Sequence, residues 1–524
     1  MGKYESERKP LKSIALGQDN SVLSCIANDY SYEKIFSREL LGLANPNDYL
    51  IILSTSGNSK NIKNDYIYVA IKGAQFDGSD FINEARQNGA ILIIADKSYD
   101  KNVISTNKIS TRLVYTELLA SFYNKQPKEI IGVTGTNGKT STVEFCRQLW
   151  VQAGWKAASM GTLGTKIENT LNKSILKSSK QNLTTFDPDE LYKELHSLEN
   201  LEISHLALEA SSHGLDQFRL DSVKFTGAIF TNLSHDHLDY HKNIENYFNC
   251  KKRLFTEILQ SNSAVAINID DDFGKRLFNE IKNNRHIIVT FGKSSGADVK
   301  IISIKQNNQN IDLVLEYKSL IYKSTIGMIG EFQSYNVVAA ASICIALGID
   351  ANLIFKSISY LKPARGRMEM ISATHNNSMI IIDYAHTPEA LRYVLNSIKE
   401  IAKEKIITLF GCGGDRDKDK RKFMGELAKE FSDLVIVTDD NPRSETASNI
   451  RKDILEGCPN AVEIPDRNKA INYAISKLQK NDFLLIAGKG HETSQTIGME
   501  TLPFDDFTVA KETIKNIENT READ

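Results

Sequence analysis

Short apolar runs recur along the chain, separated by helical periodicity and by loops of small or charged residues. The runs YIYVAI at 66–71 and AILIIA at 90–95 predict buried strands, and GSDFINEARQNG between them predicts a helix that stops at a glycine. A second helix is predicted over TRLVYTELLASFYNKQP, which leads to Pro127. This first stretch is therefore expected to be an α/β unit that ends near the proline.

The middle of the chain continues the pattern with four further apolar runs, which predict strands: ISHLALEA, TGAIFTNL, SAVAIN and HIIVTFG. From about residue 298 to 328 the pattern changes to short alternating strands, which predicts an antiparallel flap on a mostly parallel sheet. The segment SYNVVAAASICIALG then predicts a helix that ends at Gly348.

The last third repeats one design, in which an apolar strand leads into a polar loop: SMIIIDYAHT, KIITLFGCGGDRD, DLVIVTDDNPRSE and FLLIAGKGHE. Ligands of open parallel sheets bind outside the carboxyl ends of the strands, so these loops predict a binding surface. The fold class is therefore α/β with three domains, at 1–125, 126–360 and 361–524. We expect a central P-loop-type, mostly parallel sheet with an antiparallel flap, and a Rossmann-like, doubly wound C-terminal domain.

Composition narrows the functional classes. A chain of 524 residues is too long for one hydrophobic core, and its 41% hydrophobic and 25% charged residues are ordinary for a globular protein. A net charge of −2 gives no electrostatic case for nucleic acid as a partner. The six cysteines form no C-x-x-C pair, and no apolar run approaches the ~20 residues of a membrane helix. A cytoplasmic protein, expected to be a monomer, is predicted.

The sequence IGVTGTNGKTST at 131–142 predicts a phosphate-binding loop between a strand and a helix. A helix amino terminus holds anions through unpaired N–H groups, and Gly135 and Gly138 allow the backbone to approach phosphate oxygens closely. Lys139 is expected to reach the terminal phosphates, and Thr140 or Ser141 to ligate Mg²⁺. The spacing is G-x-x-G-K-T-S, which departs from the longer G-x-x-x-x-G-K-[ST] pattern. A nucleotide triphosphate is the predicted ligand.

Polar residues at the ends of two other strands are candidates for metal binding beside the phosphates. One strand ends with Glu209, and the next leads to a group that includes Asn232, Asp236, His237, Asp239 and His241. Carboxylates beside a phosphate loop favour magnesium, whereas the absence of cysteine from the group makes zinc a poor alternative. A simple nucleotide hydrolase or switch needs little beyond the loop, a magnesium ligand and a positioned water, and this chain carries more polar residues than that.

Nine motifs in order resemble the Mur ligase family, over about residues 58 to 510: GVTGTNGKTS, EASSHGLDQFR, TNLSHDHLDYH, GEFQSYNVVAA, GRMEM, DYAHTPEAL, FGCGGDRDK, TDDNPRSE and AGKGHE. The resemblance implies an ATP-dependent, amide-forming ligase. The first domain would hold the uridine nucleotide end of UDP-N-acetylmuramoyl-L-alanyl-D-glutamate, the second ATP, and the third the incoming amino acid. The γ-phosphate would pass to the D-glutamyl side chain, and the amine would then displace it, with Mg²⁺ spreading the charge.

The resemblance also implies roles for individual residues. The ATP site would comprise Gly135, Thr136, Asn137, Gly138, Lys139, Thr140, Ser141 and Asn336, the last at the adenine. Magnesium would be held by Thr140, Glu209, His237 and Lys251. The muramoyl-dipeptide site would comprise Thr184, Thr185, Ser211, Gln217 and Arg219. Lys251 would be the carbamylated lysine of the family; the neighbouring Lys252 leaves a two-way choice, in which alignment on Tyr247 favours Lys251.

The incoming amino acid is predicted from the DDNPR segment, which resembles the form used for meso-diaminopimelate. The distal carboxylate of diaminopimelate suits the fork of Arg443, which would repel the bare ammonium of lysine. The remaining residues of this pocket would be Arg416, Asp440, Asn441, Pro442, Gly488 and Glu492, with Glu492 suited to the distal ammonium.

One segment departs from the family. NSKNIKND, at 58–65, stands where members usually carry Asp-Ser-Arg. The resemblance implies that Ser59, Ala74, Gln75 and Phe76 hold the uridine nucleotide. The first ~45 residues match nothing specific and are interpreted as a variable cap. The alternatives are a lysine-adding ligase, a folylpolyglutamate-synthetase-like ligase and, in a different class, a P-loop switch that hydrolyses nucleotide without an amino acid.

Overall fold

A computed structural model describes residues 66–73, 76–97, 99, 103–106, 109–167, 183–307, 309–373 and 376–523. Ser59, Ala74, Gln75 and the expected cap over the first ~45 residues lie outside these ranges. Within them, none of the helices is both long enough and apolar enough to cross a membrane.

The strands, in chain order, are β1 (Tyr66–Val69), β2 (Ala90–Ala95), β3 (Val103–Ser105), β4 (Glu129–Thr134), β5 (Ala157–Gly161), β6 (Gly164–Ile167), β7 (His205–Glu209), β8 (Gly227–Phe230), β9 (Ala264–Asn268), β10 (Ile287–Gly292), β11 (Val299–Gln306), β12 (Ile311–Tyr317), β13 (Leu320–Ile326), β14 (Glu369–Ala373), β15 (Ser378–Asp383), β16 (Ile406–Phe410), β17 (Leu434–Val437), β18 (Val462–Glu463), β19 (Phe483–Ala487), β20 (Ser494–Ile497) and β21 (Glu500–Pro503).

The α-helices are α1 (Ile82–Gln87), α2 (Thr111–Phe122), α3 (Lys139–Gln152), α4 (Pro188–Asn200), α5 (Ser212–Asp216), α6 (Leu238–His241), α7 (Ile244–Arg253), α8 (Asp272–Ile281), α9 (Glu331–Ala346), α10 (Ala351–Ser357), α11 (Pro388–Lys399), α12 (Asp419–Phe431), α13 (Ala447–Leu455), α14 (Arg467–Ser476) and α15 (Asp506–Ala523). The described residues also include two 3₁₀ turns, Gly78–Phe81 and Ile358–Tyr360, and a π-helical turn, Leu254–Ile258.

The chain divides into two compact units. Of the described residues, the first unit comprises those within Met1–Lys128, Thr185–Ile203 and Ala210–Lys224, and the second comprises those within Glu129–Thr184, Ser204–Glu209 and Phe225–Asp524. The two units therefore exchange segments along the sequence. The three-domain boundaries near residues 125 and 360 stay a prediction.

The first unit contains a three-stranded parallel sheet in the order β1-β2-β3. Its small core includes Tyr68, Ile82 and Ile93, and the Tyr68 hydroxyl donates to the Gly78 carbonyl at 2.7 Å. The strand–helix–strand prediction for this stretch is confirmed, except that the helix begins with the 3₁₀ turn. In the same unit α2 packs against α4.

The second unit contains a ten-stranded sheet in the order β13-β12-β11-β10-β9-β8-β4-β7-β5-β6. Its centre, from β10 to β5, is parallel, and β11, β12 and β13 form an antiparallel extension at one edge. This confirms the mostly parallel sheet with an antiparallel flap. Helices α3 and α9 pack together against the sheet, where Trp150 and Val338 are fully buried. The packing fixes the position of the β4–α3 turn at the carboxyl end of the central strand β4.

A six-stranded sheet in the order β14-β15-β19-β16-β17-β18 lies in the same unit and is parallel apart from β14. Helices cover both of its faces, and each face has its own apolar cluster. This is the predicted doubly wound arrangement. Its inner strands β15, β19, β16 and β17 all point the same way, so the four polar loops predicted as a binding surface do share one edge.

Candidate active site

The predicted phosphate loop is the turn between β4 and α3. Gly138 has φ of 86° and caps the helix, and a Cβ added there would be 2.2 Å from Asn336 Oδ1. A Cβ added at Gly135, whose φ is 151°, would be 1.9 Å from Thr231 Oγ1. Both positions therefore require glycine, for close packing and, at Gly138, also for a left-handed backbone. The first turn of α3, with Thr140 and Ser141, presents the helix amino terminus to this loop.

Two lysines meet inside the loop at one carbonyl oxygen. Lys139 Nζ donates to Gly135 O at 3.0 Å and to Thr136 O at 2.8 Å, and Lys251 Nζ donates to the same Gly135 O at 2.8 Å. Lys251 is buried, and its ammonium lies 4.5 Å from the centre of the Tyr247 ring. Burial, and then the charge of Lys139, hold the pKa of Lys251 well below its usual range. Burial likewise lowers the pKa of Lys139.

Lys252 follows Lys251 in α7 but points elsewhere. Its ammonium forms an ion pair with Glu280 Oε2 at 2.9 Å and lies 5.8 Å from the Phe248 ring centre. Glu280 also pairs with Arg276, so Lys252 belongs to a network of charged side chains away from the loop. Of the two candidates, Lys251 is the one at the phosphate loop.

Glu209, at the end of β7, is a buried carboxylate beside the loop. It accepts from Thr162 N at 2.9 Å and from Thr162 Oγ1 at 3.3 Å, and a Cβ added at Gly161 would be 2.3 Å from its Oε1. Burial raises the pKa of Glu209, while Lys139 and a hydrogen bond with Thr140 act in the opposite direction. A carboxylate and a hydroxyl oxygen at a phosphate loop suit Mg²⁺, which is commonly bound by one or two carboxylates together with substrate phosphates.

His237 lies less deeply than Glu209. It has φ of 52° and its ring nitrogen Nε2 is 3.6 Å from Asp236 Oδ2. Its ring also meets the edge of Tyr247, whose hydroxyl lies 3.3 Å from Thr136 Oγ1. In the described ranges no group of three or more His, Cys, Asp or Glu side chains is arranged to hold a metal by itself. The oxygens of a bound nucleotide would have to complete such a site.

The remaining predicted ATP residues also lie at the loop. Asn137 donates its backbone N–H to Asn232 Oδ1 at 3.0 Å, and its carbonyl accepts from Thr231 Oγ1 at 2.7 Å. Asn336, on α9, packs against Gly138 and donates to Gln333 Oε1 at 3.1 Å. Residues far apart in the chain therefore hold the loop in shape.

Arg367 also lies at this site, although it is not among the predicted site residues. Its guanidinium lies 3.5 Å from Thr140 Oγ1 and 4.8 Å from the centre of the Tyr384 ring. The rings of His386 and His491 lie 4.5 and 4.8 Å from the same tyrosine ring. Burial, and then Arg367, lower the pKa of His491 to about 3, which keeps this ring neutral. The GRMEM motif was the available signal, because it places an arginine next to a glycine turn.

The predicted amino-acid pocket lies at the loops that follow β16, β17 and β19. Gly488 has φ of 108°, and a Cβ there would be 2.7 Å from the buried carboxylate of Asp440. Arg443 is a non-glycine residue with φ of 51°. Its backbone N–H donates to Thr496 O at 3.1 Å, and its carbonyl accepts from Gly498 N at 2.7 Å. Its guanidinium donates to Gly414 O at 2.7 Å. Such a strained backbone at a loop is typical of functional sites.

Asn441 and Glu492 join two of these loops. Asn441 Nδ2 donates to Glu492 Oε2 at 2.8 Å, and Lys489 Nζ donates to the same oxygen at 3.1 Å. Lys489 was not among the predicted residues, although the Gly-Lys-Gly sequence after an apolar strand is a visible signal. Gly414, at which a Cβ would be 1.9 Å from Pro442 O, packs closely on the same segment, and Arg416 is exposed on the loop after β16.

The residues predicted for the muramoyl-dipeptide form a hydrogen-bonded group in the first compact unit. Thr185 Oγ1 and Ser211 Oγ are 2.9 Å apart, and Arg219 Nη1 donates to Thr185 O at 2.7 Å. Arg219 also donates to Gln217 Oε1 at 2.8 Å and pairs with Asp187 at 3.1 Å.

Two other predicted substrate residues lie apart from that group. Thr184 belongs to the second unit, where its hydroxyl is 3.3 Å from Thr162 Oγ1. Phe76 is exposed and meets the edge of Phe81 at 6.5 Å between ring centres. Their roles stay predictions.

Three family models match the chain in sequence order. They are described as the Mur ligase family catalytic domain over residues 55–121, the Mur ligase middle domain over 133–344, and the Mur ligase glutamate ligase domain over 366–490. The matches cover both the phosphate loop and the loops of the six-stranded sheet.

Curated relatives match nearly the whole chain. A protein of Rickettsia prowazekii is 40% identical over 478 residues, which is 90% of this chain and 97% of the relative. A protein of Brucella melitensis biotype 1 is 39% identical over 459 residues, which is 87% of this chain and 92% of the relative. Both are named UDP-N-acetylmuramoyl-L-alanyl-D-glutamate--2,6-diaminopimelate ligase.

Solved structures agree. A structure of a UDP-N-acetylmuramoyl-L-alanyl-D-glutamate--2,6-diaminopimelate ligase superposes with a TM-score of 0.64 at 30% identity, covering 89% of this chain and 95% of that one. A folylpolyglutamate synthase of Mycobacterium tuberculosis shares the fold, with a TM-score of 0.58 at 15% identity, but covers only 73% of this chain. On its motifs, its fold and these matches, the chain belongs to the Mur ligase family.

Proposed function

We propose that this protein adds meso-diaminopimelate to UDP-N-acetylmuramoyl-L-alanyl-D-glutamate, with hydrolysis of ATP to ADP and phosphate, in peptidoglycan synthesis. The observation that carries this proposal is that one compact unit holds the phosphate loop, with Lys139 and the buried Lys251, together with the loop of Arg443. The names of the relatives support the substrates, because those proteins are about 40% identical over nearly the whole chain.

The ATP phosphates bind at Gly135–Ser141. The Lys139 ammonium donates to the carbonyls of Gly135 and Thr136. Phosphate oxygens are stronger partners for an ammonium than carbonyls are, so Lys139 turns toward the β- and γ-phosphates on binding. Arg367, beside Thr140, adds a second cation for the transferring group.

Mg²⁺ is held by Glu209 and Thr140, with His237 and carbamylated Lys251 as further ligands. Bound magnesium neutralises charge on the phosphates and so eases transfer of the γ-phosphoryl group. Carbamylation requires a neutral amine, and the lowered pKa of Lys251 favours that form. The modification replaces a cation with an oxygen anion, which removes the repulsion between Lys251 and Lys139.

The D-glutamyl side-chain carboxylate receives the γ-phosphoryl group and becomes an acyl phosphate, because a free carboxylate is a poor acyl donor. The amine of diaminopimelate attacks the acyl carbon, the C–O bond to phosphate breaks, and the amide forms. Arg443 binds the distal carboxylate of diaminopimelate, and Asp440, Asn441 and Glu492 receive its polar groups.

Thr184, Thr185, Ser211, Gln217 and Arg219 bind the muramoyl-dipeptide, and Ser59, Ala74, Gln75 and Phe76 the uridine nucleotide. The enzyme works as a monomer in the cytoplasm. Cys146, Cys344, Cys412 and Cys458 form no disulfide, which supports a reducing compartment.

The test is phosphate release by the purified protein with ATP, Mg²⁺ and UDP-N-acetylmuramoyl-L-alanyl-D-glutamate, with diaminopimelate or lysine added in turn. We expect phosphate release only when ATP, Mg²⁺, the UDP substrate and an amino acid are all present. The amino acid that supports release should be diaminopimelate rather than lysine. Release with lysine would favour the lysine-adding alternative, and release without an amino acid would favour a P-loop switch. Activity with a folate and glutamate instead would favour a folylpolyglutamate-synthetase-like ligase, whose known structure leaves about a quarter of this chain unmatched.

A further inference from the structure

Lys489 occupies an unusual position for a lysine. Its side chain is entirely buried, in the loop after β19, and it lies between two residues of the amino-acid pocket. Burial of an ammonium is costly unless hydrogen bonds and an opposite charge compensate for the lost water. A smaller apolar side chain would avoid this cost, so we expect the buried lysine to have a role that depends on its ammonium.

All three N–H donors of this ammonium have acceptors. Lys489 Nζ donates to Asn441 Oδ1 at 3.2 Å, to Glu492 Oε2 at 3.1 Å and to Ser494 O at 2.7 Å. One acceptor lies in the loop after β17 and two in the segment after β19. The ammonium therefore joins the loop after β17 to the loop after β19, although β16 lies between these two strands in the sheet.

These bonds fix the orientation of both pocket side chains. Asn441 Oδ1 accepts from Lys489 and also from Thr496 N at 2.9 Å, so its Nδ2 must face Glu492 Oε2 at 2.8 Å. Both bonds to Glu492 end on Oε2, so its Oε1 is not used by either. The carboxylate is thereby oriented by two donors while one oxygen is kept for a ligand.

The segment that follows Lys489 also forms hydrogen bonds with the loop after β17. Gln495 Nε2 donates to Asp440 O at 2.6 Å, and Arg443 is held through its backbone by Thr496 and Gly498. The segment after β19 therefore contacts the loop after β17 both through the buried Lys489 ammonium and through the backbone hydrogen bonds to Arg443.

We propose that Lys489 is a positioning residue for the incoming amino acid: its buried ammonium holds Asn441 and Glu492 in the orientation that receives the polar groups of diaminopimelate. The inference rests on the proposed function. It makes Lys489 act through its neighbours, because its own donors are already used within the protein.

The test measures the KM of each substrate by phosphate release for the unaltered protein, Lys489→Met and Lys489→Gln. We expect the KM for diaminopimelate to rise about 10-fold or more in Lys489→Met, with the KM values for ATP and the UDP substrate within about 2-fold of the original. Lys489→Gln keeps two N–H donors without the charge and should lie between the two. Lys480→Met, which removes an exposed lysine just before β19, is the matched control and should change none of the three.

Calorimetric titration of diaminopimelate, with ATP analogue and UDP substrate present, gives a readout independent of turnover and should show the same weakening. An unchanged affinity, a proportional loss for all three substrates, or failure of both variants to fold by circular dichroism would each overturn the inference. Absence of diaminopimelate-dependent release by the unaltered protein would instead overturn the proposed function.

Discussion

Lys139 and Lys251 both direct their ammonium groups at the carbonyl oxygen of Gly135, at 3.0 and 2.8 Å. Two like charges on one oxygen repel each other. Burial, and then the charge of Lys139, lower the pKa of Lys251, and burial lowers the pKa of Lys139. The two ammonium groups therefore make the inside of the loop electropositive. Anionic phosphate on Lys139 and an anionic modification of Lys251 would both relieve this repulsion.

Replacing Lys251 with alanine should lower kcat about 10²- to 10³-fold, because an anionic ligand beside the transferring phosphoryl group is lost. Formate or acetate should restore part of the activity by standing in for the missing carboxylate. Lys252→Ala is the matched control, since this neighbour pairs with Glu280, and should retain activity. Phosphate release and the intact mass of the protein, which reports a bound carbamate, are the measurements. A fully active Lys251→Ala would exclude the assignment.

Activity should also depend on bicarbonate more strongly at low pH than at high pH. The fraction of Lys251 in the neutral form falls as pH decreases through its lowered pKa, and only the neutral amine reacts with carbon dioxide. Phosphate release after removal of dissolved carbon dioxide, compared at several pH values with and without added bicarbonate, measures this dependence. Equal stimulation across the pH range would contradict it.

Gly138→Ala should weaken ATP binding and destabilise the protein more than Gly154→Ala does. The two glycines have similar left-handed φ angles of 86° and 91°, so each substitution costs about 1–2 kcal/mol of backbone strain. At Gly154 nothing lies within 4 Å of the added Cβ, whereas at Gly138 it meets Asn336 Oδ1 at 2.2 Å. Overpacking adds about 1–3 kcal/mol at Gly138. Chemical denaturation and the KM for ATP test the difference, and equal effects of both substitutions would refute it.

Arg443→Ala should raise the KM for diaminopimelate roughly 10- to 100-fold, as expected for the loss of hydrogen bonds to a charged group. The KM for ATP should change little, because the phosphate loop keeps all its own contacts. Arg392→Ala is a suitable control, since Arg392 is about half exposed and pairs only loosely with Glu430 at 3.7 Å. Equal loss of affinity for both substrates in Arg443→Ala would show that the arginine supports the fold instead.

The ion pair of Glu445 and Arg421 should make part of the stability acid-sensitive. Hydrogen bonds from Arg421 lower the pKa of Glu445 from 4.5 to about 2. A carboxyl with a lowered pKa stabilises the folded state above its unfolded pKa, and this contribution is lost as pH falls through its folded pKa. The difference in free energy of unfolding between the original protein and Glu445→Gln should therefore shrink between pH 4.5 and about 2. A constant difference over that range would contradict the assignment.

Much of the fold followed from local pattern. Continuous apolar runs predicted β2 at 90–95 and the strands of the doubly wound sheet, and alternating hydrophobicity predicted the antiparallel flap, because these signals are contained in short windows. The phosphate loop was equally visible, since its glycines, lysine and hydroxyls are contiguous. Lys489 and Arg367 were not assigned a role, because their importance depends on partners in other loops.

The order of strands and helices, and the polar loops that carry the candidate chemistry, can be predicted from local sequence pattern. Which side chains meet depends on tertiary packing. Lys251 and Lys252 are adjacent in α7, so they point about 100° apart, and the packing of that helix turns one to Gly135 and the other to Glu280. Lys251 and Gly135 are 116 positions apart in the chain, and a contact over that distance depends on how the whole sheet folds.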